Sequence, residues 1–325
     1  DNHDQLNVTG TVTIENNVTL DTIQWNGFNP AFNDSFTIIN NDGTDPIVGT
    51  FDGLPEGAYL TDFMGFGLLG QISYVGGDGN DVVLTAGPQI LHWQGDIDGN
   101  WSTPGNWLED YVPVNGAQLS FDPTASGFNA ATAGFTPNND LTGLLVDTIT
   151  MNDQSATDNF VVTGNAISLA GGVTIDGDRT GSPFSRFDLA GITLTASQTF
   201  DFNQQYFNWW SPIDIQSHTL TMQGRDTRLH GIISGSGDVV FNSGLSYVNA
   251  ANDYTGQTTI ETGTVVLQSS GQLGTTGTGT IGGNGGRLIL SVDSAEDLDI
   301  TATTFTLELR KDTDHIGDIN FATSN

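Results

Sequence analysis

The sequence predicts an all-β protein, a parallel β-solenoid flanked by small antiparallel β units, and three observations carry that expectation. Composition is the first: 42 Gly and only 14% charged residues in 325 positions, without the Lys, Glu, Arg or Gln runs that helices use. The second is the recurrence of short alternating segments, most of them bounded by Gly, Asn, Asp or Ser. The third is spacing. From about residue 140, strands return at intervals near 20 residues, at Leu220 and Met222, Val240, Ile260 and Ile281. That is the interval of a solenoid coil holding two or three strands and tight turns, whereas a sandwich shows hairpin turns about every 8 to 12 residues.

Residues 1–88 read as a small antiparallel unit. "QLNVTGTVTI" alternates Leu6, Val8, Val12 and Ile14, and "FNDSFTIINNDGTDPIVGTFDGLPEGAYL" follows with longer turns and proline, as in a unit that ends a solenoid. A boundary is expected near Gly87 and Pro88. Residues 89–135 form a Trp-rich segment in which Trp93, Trp101, Trp107 and Tyr111 crowd together, expected to cap the open first coil. Residues 136–325 supply the solenoid strands: "NFVVTG", "NAISLAGGVTIDG", "GITLTASQTFDF", "HTLTMQG", "GDVVFNSG", "TVVLQSS", "RLILSV" and "FTLELR".

Charge narrows the functional classes. With 38 acidic and 7 basic residues the net charge is −31, so nucleic acid and anionic membranes are poor partners and metal cations are plausible ones. Cysteine is absent, which excludes disulfides and thiol chemistry and suits a bacterial extracellular protein. No apolar run approaches the ~20 residues that span a bilayer, so membrane insertion is not expected.

The stretch "GSGDVVFNSGLSYVNAANDYTGQTTIETGTVVLQ", residues 235–268, resembles the autotransporter-associated β-strand repeat, with Asn252, Tyr254, Thr255, Gly256, Thr258, Ile260, Gly263 and Thr264 on the pattern. "WQGDIDGNWSTPGNW" resembles the module openings of large surface proteins carrying such repeats. "FTIINNDG", "GTFDGLPEG" and "ISYVGGDGNDVVLT" resemble their module closings. The resemblance implies a right-handed parallel β-helix in a secreted or cell-surface passenger, adhesive or architectural and usually non-catalytic. The outer-membrane barrel of a full autotransporter is not recognisable here.

Several constellations carry a chemical alternative. "GGDGNDVVL" from Gly76 to Leu84 fits one calcium nonapeptide with Asp78 and Asp81 as ligands, but such repeats bind by stacking on copies of themselves and one copy is present. A closing hairpin is the preferred reading. "DIDGNW" offers Asp96 and Asp98 in a loop that starts like an EF-hand, although its glycine comes early and Trp107 stands where glutamate belongs. No cofactor is required on this reading, and calcium is the one candidate. "GRDTRLHG" places Asp226, Arg228 and His230 on one strand face, as a β-helix enzyme or glycan binder would, though one Lys and no second cationic cluster weigh against a lyase. In "YFNWW", Tyr206, Trp209 and Trp210 are candidate glycan or interface contacts, and two adjacent Trp cannot both face inward from a strand.

The resulting expectation is a structural module of a bacterial surface fibre, sheath or adhesin. The two end segments, written end to start, resemble an uninterrupted run within one module, so the chain is expected to join copies of itself, as covalent tandem repeats or by head-to-tail stacking. Leu6, Val8, Val12 and Ile14 would then continue the sheets of Phe305, Leu307 and Leu309 in a neighbour. A carbohydrate-active enzyme or glycan-binding module is the alternative.

Overall fold

The computed structural model describes residues 3–28, 30–65, 67–153, 158–177, 185–203, 207–268, 272–275, 280–282, 285–291, 298–300, 304–310 and 319–321. The chain is all-β, a parallel β-solenoid with some antiparallel strands. It divides into two compact units, Asp1–Ile90 with Val114–Ala117 and Leu91–Pro113 with Gln118–Asn325.

In the first unit, Tyr59–Phe63, Leu68–Gly76, Asp81–His92 and Ser35–Asn41 pair antiparallel in that order. Leu6–Val8 adds to Ser35–Asn41 in parallel. Alternation along these strands sends Phe36, Leu68, Ile72, Val82 and Leu84 into one core with Phe63, each such burial stabilising by about 1.5–3 kcal/mol. Val12 and Ile14 belong to the same core, held by Ile14 N–H to Val48 O at 2.7 Å and Val48 N–H to Val12 O at 3.0 Å. Asp81–His92 runs unbroken through Gly87 and Pro88. Pro88, which has no N–H to give, sits opposite a register shift between Leu68 and Gly70, where the ladder already lapses.

The second unit carries the coils. One parallel sheet stacks Leu145–Asn152, Ile167–Asp176, Gln198–Phe202, Leu220–Leu229, Val239–Val248 and Thr258–Leu267, and continues through Thr280–Gly282, Leu298–Ile300 and Ile319–Phe321. A second sheet stacks Asn138–Asn139, Val161–Gly164, Arg186–Leu189 and Phe207–Trp209. It then takes the later halves of the three long strands from Leu220 to Leu267, followed by Gly286–Leu290 and Thr306–Leu309. A third, shorter sheet aligns Ile167, Ile192, Ile213 and Ile233. Partners in the central coils lie about 20 residues apart, as Met222 with Phe241 and Phe241 with Ile260.

Because strand side chains alternate, the sheets send continuous columns inward, and two of them run the length of the coils. Ile149, Val173, Phe200, Met222, Phe241 and Ile260 form the first, and Val162, Phe187, Trp209, Leu229, Val248, Leu267 and Leu290 the second; all are buried. The long strands pass from sheet to sheet at glycine. Gly263 has φ +74°, and a Cβ there would stand 1.6 Å from Ser243 O on the preceding coil. No side chain fits so close to the backbone below.

The residues of the 252–264 pattern occupy structural positions. Asn252 spans three coils, its Oδ1 accepting from Ile233 N–H at 2.8 Å while its Nδ2 donates to Gln272 O at 2.8 Å. Tyr254 is buried with its hydroxyl 2.6 Å from Thr258 Oγ1. Trp93, Trp101 and Trp107 are all buried around Phe121, and Phe121 in turn meets Phe160 at 6.3 Å between centroids. The Trp93 indole N–H donates to Gly134 O at 2.9 Å, and Trp107 to Trp101 O at 3.0 Å, so these rings lock the segment in place as well as filling space.

Candidate functional site

The pleat of Leu220–Leu229 turns Thr227 and Leu229 inward, which leaves Asp226, Arg228 and His230 on the outward side of the second sheet. Arg228 stands in register between Asn208 and Tyr247, its guanidinium carbon 5.5 Å from the Tyr247 ring centroid. His230 lies flat against Trp210 on the preceding coil, 4.2 Å between centroids. Arg186, in register with Asn208, pairs with Asp188 at 3.4 Å. Three of the chain's seven basic residues, Arg186, Arg225 and Arg228, thus belong to this stretch of coils.

Burial raises the Asp226 carboxyl above the usual aspartate range, against the opposing pull of Arg225 and Arg228. Burial, and then the charge of Arg228, lowers His230. Near neutral pH the row therefore presents neutral imidazole, guanidinium and aromatic faces beside the Asp226 carboxyl, groups that stack on sugar rings and bond to their hydroxyls. The expectation for the paired Trp residues divides here. Trp209 is fully buried in the second column and cannot touch a glycan, while Trp210 is 45% exposed. Tyr206 lies outside the described residues. Arg186 and Tyr247 were not singled out from the sequence. The coil interval that takes Met222 to Phe241 also takes Arg228 to Tyr247, and that interval was the signal to use.

The acidic candidates do structural work. Gly76 and Asp81 are antiparallel register partners, with Gly77 and Gly79 at positive φ between them, so the stretch closes a hairpin. Asp78 stands exposed at its tip, and Asp81 is buried with Oδ1 accepting from Asn41 N–H at 2.9 Å. In the Trp-rich loop, Asp98 accepts from Asn100 N–H at 2.7 Å, Asn106 Nδ2 at 2.7 Å and Thr103 Oγ1 at 3.2 Å. The Asn100 N–H first, then Asn106, lower its pKa. Its oxygens are taken by donors, and Asp96 is exposed beside it, an arrangement that braces a loop and leaves little for a cation. Among the described residues no group of three or more His, Cys, Asp or Glu converges, and no helix among them is long and apolar enough to cross a membrane.

The expected assembly residues also divide. Val12 and Ile14 are spent in the core of the first unit and have no side chain to offer a neighbour. Leu6 is 58% exposed on a strand whose partner among the described residues is Ser35–Asn41, and Val8 is half-buried. Leu307 and Leu309 pair in register with the buried Leu288 and Leu290. Phe305 and Leu307 are half-buried, and Leu309 is 51% exposed. Comparison with family models, with characterised proteins and with solved structures finds no match to this chain.

Proposed function

We propose that this chain is a non-catalytic structural module of an extracellular or cell-surface assembly, joined coil to coil with further copies of itself, as covalent tandem repeats or as separate subunits. One observation carries the reading. Leu309 continues the column Trp209, Leu229, Val248, Leu267 and Leu290, yet half of it faces solvent. A column whose last member among the described residues is half exposed is suited to take a further coil or a cap. The exposed strand Leu6–Val8 is of the right kind to supply the next parallel rung, because it already pairs in parallel and keeps Leu6 uncovered. The −31 charge and the lack of cysteine suit an oxidising, solvent-rich setting.

Sedimentation of the purified chain over a wide concentration range tests this. Self-association is expected, and Leu309→Asp should abolish it while leaving the circular dichroism unchanged. A chain that stays monomeric at every concentration, or a variant that associates as before, overturns the proposal.

The outward row of Arg228, His230, Trp210 and Tyr247 supports a second, compatible reading as a glycan contact. Quenching of tryptophan emission by a neutral polysaccharide, lost in Trp210→Ala, is the expected sign. Unchanged quenching in that variant would exclude the site.

A further inference from the structure

We propose that residues 19–24 of the first unit form a docking edge for an extended, basic peptide strand of a partner protein, an interaction beyond the coil-to-coil joining above. The segment "TLDTIQ" alternates like a strand: Leu20 and Thr22 are half-buried, while Asp21 and Ile23 face solvent. Leu20 packs on the core of the unit. Yet no strand pairs with this one. Among the described residues no hydrogen bond engages the backbone of residues 19–24. Only two of its side chains hydrogen-bond: Thr22 Oγ1 accepts from Met64 N–H at 3.2 Å, and Gln24 Nε2 donates to Phe28 O at 3.0 Å.

The ends of the segment are fixed. Val18 O accepts from Asp52 N–H at 2.7 Å. Beyond the other end, Phe28 N–H closes on Trp25 O at 3.1 Å across Asn26 and Gly27, both at positive φ, and Phe28 packs edge-on against Phe36 at 5.9 Å. An extended segment that is held but unpaired has already met its own ordering cost, so a strand joining it orders one chain instead of two. Room for that strand is present. Residues 19–24 and Tyr59–Asp62 line one open cavity of about 670 Å³, and a strand as long as residues 19–24 runs about 20 Å. Tyr59–Phe63 ends its antiparallel sheet, its partner among the described residues being Leu68–Gly76. A strand turns its N–H and C=O groups to both edges, and neither edge of residues 19–24 is paired, so an added strand finds ladder groups to bond.

Charge selects the partner. Asp21, Asp52 and Asp62 line the cavity and are exposed, and the first unit contains neither Lys nor Arg. Asp62 Oδ1 accepts from Gly67 N–H at 2.9 Å, while among the described residues no hydrogen bond or ion pair reaches the carboxylates of Asp21 and Asp52. A strand with Lys or Arg at alternate positions therefore meets three carboxylates and no resident cation, whereas an acidic strand is repelled. Its other face needs apolar side chains. Ile23, which lines the cavity, is 75% exposed, and Trp25 just beyond it is 79% exposed. Exposed apolar groups beside an unpaired strand suit alternate apolar residues of an added one, where the ladder gives affinity and the side chains give selectivity.

The test is titration of the full chain with a synthetic peptide of alternating Lys and Val in ~150 mM sodium chloride, to screen diffuse attraction, reading the amide resonances of residues 19–24 and 59–62. Saturable shifts and slowed amide exchange there are expected. The same peptide methylated on every Val nitrogen keeps its charge but cannot complete a ladder, and it should not bind; nor should a peptide of alternating Glu and Val. Ile23→Pro deletes an N–H at an exposed position and should weaken binding about tenfold. Asp21→Asn should weaken it about threefold, a difference that disappears in ~1 M salt. Asp78→Asn, at the hairpin tip, should change nothing. Equal binding of the methylated peptide, shifts that never saturate, or full affinity in both Ile23→Pro and Asp21→Asn would each overturn the proposal. So would the same shifts arising without peptide as the chain is concentrated, which would seat a second copy there, or arising with a neutral glucan oligosaccharide and not with the peptide. Asp21→Asn keeps the proposal decidable if Ile23→Pro does not fold.

Discussion

Trp210 and His230 stack face to face on adjacent coils, their ring centroids 4.2 Å apart and their planes 4° from parallel. Burial and the Arg228 charge hold His230 below its ordinary value. Unfolded histidine takes a proton near pH 6.5, and folded His230 takes one only at lower pH. Its contribution to stability is therefore complete above about pH 6.5 and is lost as pH falls through that window toward the folded pKa. A proton titration of the His230 ring by NMR should show a midpoint below about 6.5. In Trp210→Ala, which uncovers the ring, the midpoint should rise. A native midpoint at or above the free value would contradict the burial.

Leu290 and Leu309 are register partners with opposite surroundings, and their truncations should differ accordingly. Leu290→Ala leaves a cavity in a closed column and should cost about 2–5 kcal/mol in chemical denaturation. Leu309→Ala, in an uncovered position, should cost less than about 1 kcal/mol in the dissociated chain. Equal losses would mean that the column closes over Leu309.

Gly263→Ala tests the corner between sheets. The positive φ disfavours any side chain by about 1–2 kcal/mol, and the new methyl would overlap the Ser243 carbonyl. A loss of at least about 2 kcal/mol is expected, against less than about 0.5 for alanine at the open-turn Gly191, which has a negative φ and ordinary contact space. Similar melting curves for the two variants would count against the corner.

Asp98 holds its loop through three donors, and its pKa is lowered by them. Being lowered, it stabilises the fold above the ordinary aspartate range and loses that effect as pH falls through the range to the folded value. Asp98→Ala should lower stability by about 1–2 kcal/mol at pH 7, discounted for solvent screening, and by less in acid. The loss should be the same with calcium or with chelator. A deficit that appears only when calcium is present would return Asp98 to the list of ligands.

Much of this fold was legible because a β-strand writes its geometry into the chain. Alternation with period 2 gave the inward face of Leu220–Leu229 and its neighbours, and a spacing near 20 residues gave the stacked coils, since one coil must place its column directly over the last. Adjacency alone required Trp209 and Trp210 to part, but which of them enters the core depends on the register that puts Trp209 between Phe187 and Leu229. The same holds for Val12 and Ile14, whose alternation is real but whose partner is Val48 of their own unit. Local pattern fixes which residues share a face. What covers that face is set by contacts between residues far apart in sequence, and so Asn41 meets Asp81, Asn80 shares the Asp45 carbonyl with Asn41, and His230 meets Trp210, only once the chain has folded.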